Sequence, residues 1–216
     1  MATYRLAIDC QYEEDGPMAR ISYVDPDSIT DPELAGYIAD SRRYGTPRVE
    51  SQAIRAHVPA VLRTFNQSWQ QVFREGVLDH SIKELARVFV AKSLECGYCA
   101  GQRSHLAVAA GLTEREFDDV IEFRTSPVFS PREKAALLLA EAIAWDPGLA
   151  DDEVWEALHR EFTEPEIVEL GYFIGLTMGQ QKFLKTLGIK HGDLGTESTA
   201  GLAPEVANTF SAASHG

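Results

Sequence analysis

Four helix starts are spread along this chain, and they constrain its fold more than any other feature: Asp31-Pro32-Glu33, Thr113-Glu114-Arg115-Glu116, Ser130-Pro131-Arg132-Glu133 and Thr163-Glu164-Pro165-Glu166. In each, a short oxygen-bearing side chain stands where it can accept hydrogen bonds from the unpaired N–H groups of a first turn, and proline fits that turn because its missing N–H is not needed there. At Thr113 and Ser130 a glutamate three positions on completes a capping box.

The segments between these starts carry apolar residues at helical spacing. The first helix closes at Tyr44-Gly45-Thr46-Pro47. From Val49 to Gly76, Ile54, Val58, Val61, Leu62, Phe65, Trp69 and Phe73 keep a helical period that Pro59 interrupts, which predicts two helices in series. Asp79 to Leu94 buries Leu85, Val88, Phe89, Ala91 and Leu94, and the next helix is expected to begin at the cysteines and run to Gly111. The helix after Thr113 runs to about Arg124, the apolar one after Ser130 stops at Asp146-Pro147-Gly148, and a further one follows Asp151. The last presents Ile167, Leu170, Ile174, Met178, Gln181 and Leu184 on one face before Gly188 ends it. Only Tyr4 to Ile8 and Ile21 to Val24 have the look of strands. The fold class is therefore all-α, with an amino-terminal extension (1–25), one helical domain (26–190) and a Gly, Ser, Thr and Ala-rich tail (191–216) expected to be mobile or to wrap a partner. Trp69, Trp145 and Trp155 occupy apolar helix positions and are expected in the core or at subunit contacts.

Charge narrows the function. With 20 basic against 33 acidic residues, a net charge of −13 repels phosphate backbones and anionic membranes, so neither nucleic acid nor a membrane is an expected partner. No apolar run reaches the ~18–20 residues of a membrane span. Acidic residues interrupt the stretch from Met1 to Ala19 where a signal peptide would be apolar, and three cysteines are too few for a disulfide scaffold, so a reducing, cytoplasmic setting is expected.

In that setting Cys96-Gly97-Tyr98-Cys99 is a redox or metal motif. Two thiols three positions apart at a helix start can close into a disulfide, and the N–H groups there favour the thiolate. A zinc site needs two more ligands, and Cys10 with scattered histidines lacks that spacing, so no metal is expected. On a continuous helix Cys96 and Cys99 differ by about 300° and share a face with Arg103, where a guanidinium would stabilise a thiolate. Arg103 as a solvated surface residue is the alternative. His105, six positions after Cys99, points away from the thiols, while Tyr98 and His57 are further candidates to serve the site. Glu84 has two readings: a general base folded back toward the thiols, or the glutamate of a Ser81-Ile82-Lys83-Glu84 capping box.

Glu84, then Cys96-Gly97-Tyr98-Cys99 twelve residues later, then a small-residue helix and Ala110-Gly111-Leu112-Thr113, resembles the carboxymuconolactone decarboxylase and AhpD-like superfamily. The resemblance implies a cofactor-free, all-helical trimer or hexamer. In this reading Glu84 accepts a proton, Cys99 attacks a hydroperoxide or disulfide substrate, Cys96 resolves the intermediate, and a dithiol electron-donor protein restores the thiols. One position departs from the pattern: Arg103 stands where the family places a relay histidine, and arginine stays protonated at any working pH. Two rivals share the resemblance. One is a lyase acting on a small carboxylated lactone, for which Arg103 would bind the carboxylate; the other is a non-catalytic redox-sensing oligomer.

Overall fold

The computed structural model describes residues 19–194. Among these residues the secondary structure is helical with no strand, and Ile21 to Val24 is irregular. The strand expected at Tyr4 to Ile8, Cys10 and most of the expected tail lie outside the described residues.

The capping signals form as their chemistry requires. The Asp31 carboxylate accepts from the N–H groups of Glu33 and Leu34 at the head of α1 (Pro32–Tyr44), and Gly45 closes that helix with φ +74°, a left-handed conformation that costs glycine little. Capping boxes at Thr113, Ser130 and Thr163 open α7 (Glu114–Asp119), α8 (Pro131–Ala144) and α10 (Glu164–Leu187). Asp151 caps α9 (Asp152–Glu161). The break at Pro59 yields α2 (Val49–Arg55) and α3 (Pro59–Ser68), and the chain continues past α3 into a π-helical stretch, Trp69–Glu75.

At the centre is α4 (His80–Ser93), flanked by α8 and α10. It is surrounded on all sides, so Ala86, Val88, Phe89 and Val90 are all fully buried. The main core gathers Phe117, Phe123, Leu137, Leu158, Leu170 and Ile174 around it. Burying side chains of this size is worth about 1.5–3 kcal/mol each, so α4 is the element the fold can least do without. A second, smaller cluster joins Ile54, Ala91, Leu184, Leu187 and Ile189 to both cysteines, and a third stacks Phe65, Trp69, Phe73 and Phe173. Trp69 is in that core as expected, whereas Trp145 and Trp155 are exposed on the surface. No helix among the described residues is long and apolar enough to cross a membrane.

The expected helix from the cysteines to Gly111 is not continuous. It forms as α5 (Gly97–Ala100) and α6 (His105–Ala109), separated by a non-helical stretch. The reason is a tertiary contact: the Arg87 guanidinium on α4 binds the carbonyls of Cys99 and Gln102, at 2.7 Å each, where a continuing helix would have used its own N–H groups.

Candidate active site

The two thiols reach the centre of the molecule through a sharp reversal after α4. Glu95 adopts φ +52°, and the N–H groups of Glu95 and Cys96 turn back onto the carbonyls of Lys92 and Ala91. A non-glycine residue in the left-handed region carries strain of about 1–2 kcal/mol, and here it returns the cysteines to the helix they have just left. Cys96 is the N-cap of α5, and its sulfur lies 2.8 Å from that of Cys99. Both are free thiols, and both are buried.

Contact between the sulfurs splits their acidities. The hydrogen bond between the two sulfurs pulls the Cys96 pKa below that of an ordinary thiol, with Lys185 and Arg87 adding favourable charge. Cys99 moves the other way, because of the same hydrogen bond and its burial, although Arg87 and Arg55 oppose the shift. The pair thus loses one proton readily and the second with difficulty, as coupled sites do.

Cys99 also faces a cavity of about 30 Å³, room for one water-sized group, walled by Thr46, Arg55, Arg87, Gln102, Gln181 and Leu184 among others. Pro47, Phe65 and Trp69 complete the wall, so apolar surface stands beside these polar groups.

Glu84 is fully buried, but its carboxylate is turned to Arg87 and not to the sulfurs. Arg87 Nε and Nη2 hold its two oxygens at 2.7 and 2.8 Å, and the Ser104 N–H donates to Oε1 at 2.8 Å. The capping-box reading is not realised, since α4 starts at His80, two residues earlier than that reading requires, with Asp79 as its N-cap. Glu84 and Arg87 instead pin both ends of the loop from Cys99 to Ser104. Burial works against the Arg87 charge, yet Glu84 more than offsets it and holds the guanidinium firmly protonated.

The other candidates turn their polar groups away from the sulfurs, although the Tyr98 ring packs in the cluster that holds both cysteines. Arg103 does not share their face, because the helix has ended before it: its guanidinium pairs with Glu114 at 2.8 Å, caps the Ala100 carbonyl at 2.6 Å and stacks over Phe117. The Tyr98 hydroxyl donates to Glu50 at 3.2 Å, and burial followed by the Glu50 charge keeps it protonated. His57 is exposed and bound to the Ser22 carbonyl. His105 turns away as expected, to the Arg43 carbonyl.

Three further residues, two of them buried arginines, join the site that sequence reasoning passed over. Arg87 stands three positions after Glu84 on an apolar helix, an ion-pair spacing that was available to find it. Arg55 has no comparable signal. His80 donates from Nδ1 to the Phe73 carbonyl at 2.8 Å, which leaves Nε2 to accept the Ser104 hydroxyl at 2.6 Å; burial lowers its pKa and keeps it neutral. Among the described residues, no group of three His, Cys, Asp or Glu side chains is arranged to hold a metal ion.

Comparison with known proteins agrees with this architecture. Residues 59–142 match the carboxymuconolactone decarboxylase family model. An uncharacterized protein of Mycobacterium tuberculosis is 33% identical over 110 residues, which cover 51% of this chain but only 39% of that relative. Among solved structures, a peroxidase-related protein from Ralstonia eutropha with an alkylhydroperoxidase AhpD core superposes with TM-score 0.63 at 17% identity, covering 91% of this chain and 98% of that one. The debrominase Bmp8, as a cysteine-to-alanine variant in complex with 2,3,4-tribromopyrrole, superposes with TM-score 0.66 at 17% identity, covering 89% and 99%. At these identities the structural likeness establishes the fold.

Proposed function

Since the region 59–142, which holds both cysteines, belongs to the carboxymuconolactone decarboxylase family, we propose that this chain is a thiol-dependent peroxidase of the AhpD-like kind, using Cys99 and Cys96. Membership supports a peroxidase-like or decarboxylase-like role at the level of the family; the direct contact of two buried thiols at 2.8 Å, with Cys99 on a small cavity, is the observation that favours the first.

Chemistry at the pair runs in three steps. Cys99, as thiolate, attacks the terminal oxygen of a hydroperoxide; an S–O bond forms, the O–O bond breaks, and the alkoxide takes the proton held by Cys96. The Cys96 thiolate then attacks the sulfenic sulfur, forming the disulfide and releasing hydroxide. An external dithiol reduces the disulfide by exchange, returning two electrons. The cavity that Cys99 lines receives the –O–OH end of the oxidant. The lyase reading gave Arg103 the task of binding a carboxylate, and that guanidinium is committed to Glu114.

The test is to add hydrogen peroxide to the reduced protein and count thiols. Loss of two thiols per peroxide is expected, with Cys99→Ser inert and Cys96→Ser accumulating a dimedone-reactive sulfenic acid. Oxidation no faster than that of free cysteine would rule the peroxidase out. Activity toward a carboxylated lactone that survives replacement of both cysteines by serine would establish the lyase instead.

A further inference from the structure

Arg55 is the buried cation whose charge the fold leaves unanswered. It lies at the carboxyl end of α2 with its guanidinium out of water, and its partners are all neutral: the Ser51 carbonyl, the Gln52 and Gln180 side-chain oxygens, and the Phe65 ring 3.6 Å beneath it. Among the described residues it enters no ion pair. Burying a charge in this way is costly, and burial accordingly lowers its pKa to about 10. A fold that keeps such a group beside a reactive sulfur has a use for its field.

We propose that Arg55 is the positioning residue that draws the negative charge of the thiol pair onto Cys99 and so makes Cys99 the attacking sulfur. The proposal rests on the thiol reading above. Arg55 and Cys99 wall the same small cavity, so the charge has little water to screen it. The proton transfer it favours is internal to the pair: the proton of Cys99 passes to Cys96 across 2.8 Å, with no change in net charge.

The other cation that acts on Cys99 is Arg87, on α4, and it carries its own counter-charge in Glu84. On α2, Glu50 lies 4.0 Å from Arg48 and accepts from Tyr98 and the Gly192 N–H. On α5, Tyr98 is protonated. On α10, Lys185 is half exposed, binds the Leu94 carbonyl and acts on Cys96. Arg103, in the place of the relay histidine, faces Glu114. Arg55 is left as the uncompensated positive charge at Cys99.

The experiment isolates Cys99 in a Cys96→Ser background and follows thiolate absorbance at 240 nm against pH, with Arg55 intact, as Arg55→Met and as Arg55→Lys. Arg55→Met is expected to raise the Cys99 midpoint by about one pH unit or more, a tenfold loss of thiolate at pH 7, and Arg55→Lys to recover most of it. Far-UV circular dichroism verifies folding; should the methionine variant not fold, Arg55→Gln, which keeps amide hydrogen bonds to its neighbours, carries the same prediction. A folded Met or Gln variant with an unchanged midpoint would overturn the proposal. A shifted midpoint in a protein that consumes no peroxide would support Arg55 in this role while removing the peroxidase reading.

Discussion

The α4 and α2 walls of the cavity each supply a buried arginine, and they hold it in opposite ways. On α4, Arg87 is gripped by Glu84 through two short hydrogen bonds and uses its remaining donors on loop carbonyls. On α2, Arg55 meets only neutral oxygens and an aromatic face. The difference separates architecture from reactivity. A neutralised pair projects little field and serves as a clamp for the loop that carries Cys99, whereas an unpaired cation in a small cavity is an electrostatic element and contributes little clamping.

The contrast is broken most severely at its α4 end. Glu84→Ala leaves Arg87 buried without a partner, so urea unfolding should show a loss of about 3–5 kcal/mol. Replacing both members by apolar residues of similar size should return most of that stability, while the unpinned Cys99–Ser104 loop loses thiol reactivity. If the single and double variants proved equally unstable, the clamp would be more than an ion pair.

Next in size is the coupling of the thiols. Cys99→Ala removes the hydrogen bond that lowers the Cys96 pKa, so that pKa should climb toward the free-thiol value of ~8.5. In the native protein, alkylation of Cys96 should therefore rise with pH at a midpoint below that value, and this advantage should disappear in the variant. Thiolate absorbance reads the shift directly.

Arg103 provides the milder contrast, a partly buried arginine paired with a carboxylate that faces solvent. Arg103→Ala should cost no more than about 1 kcal/mol, since its partner Glu114 is exposed, and peroxide oxidation should stay within twofold. A large kinetic loss would return Arg103 to the site.

The smallest expected effect is at His80. Its folded pKa lies below the unfolded value because burial disfavours the charged ring. Above about pH 6.5 neither state is protonated and the stability of the fold is complete; as pH falls below that value the unfolded chain takes up the proton first and stability declines. His80→Gln should flatten part of this decline in melting temperature between pH 7 and pH 5, leaving what His105 and His191, also shifted downward, contribute.

Much of this architecture is legible in the chain because its signals are local. The starts of α1, α7, α8 and α10 are each declared by a side chain and an N–H group within three residues of one another. The ends of α1 and α10 are likewise declared by Gly45 and Gly188. The interruption between α5 and α6 is marked less clearly: Gly101 stands at the C-cap of α5 without the left-handed turn of Gly45 and Gly188, and the agent is a guanidinium twelve residues from one carbonyl and fifteen from the other. Helical projection consequently set Arg103 beside thiols that it does not approach, and assigned Glu84 a proton that it has no geometry to accept from a sulfur.

Amino-acid order alone thus determined an all-helical chain, the places where its helices begin, and two cysteines close enough to meet. Those outcomes follow from hydrogen bonds and side-chain periodicity over three or four residues. Tertiary structure decided which charges surround the sulfurs. Arg55 is anchored by Gln180, 125 residues away, and Arg87 is neutralised on one helix while it stops another. Whether a buried charge finds a counter-charge depends on packing across the whole molecule, and no short-range pattern encodes it.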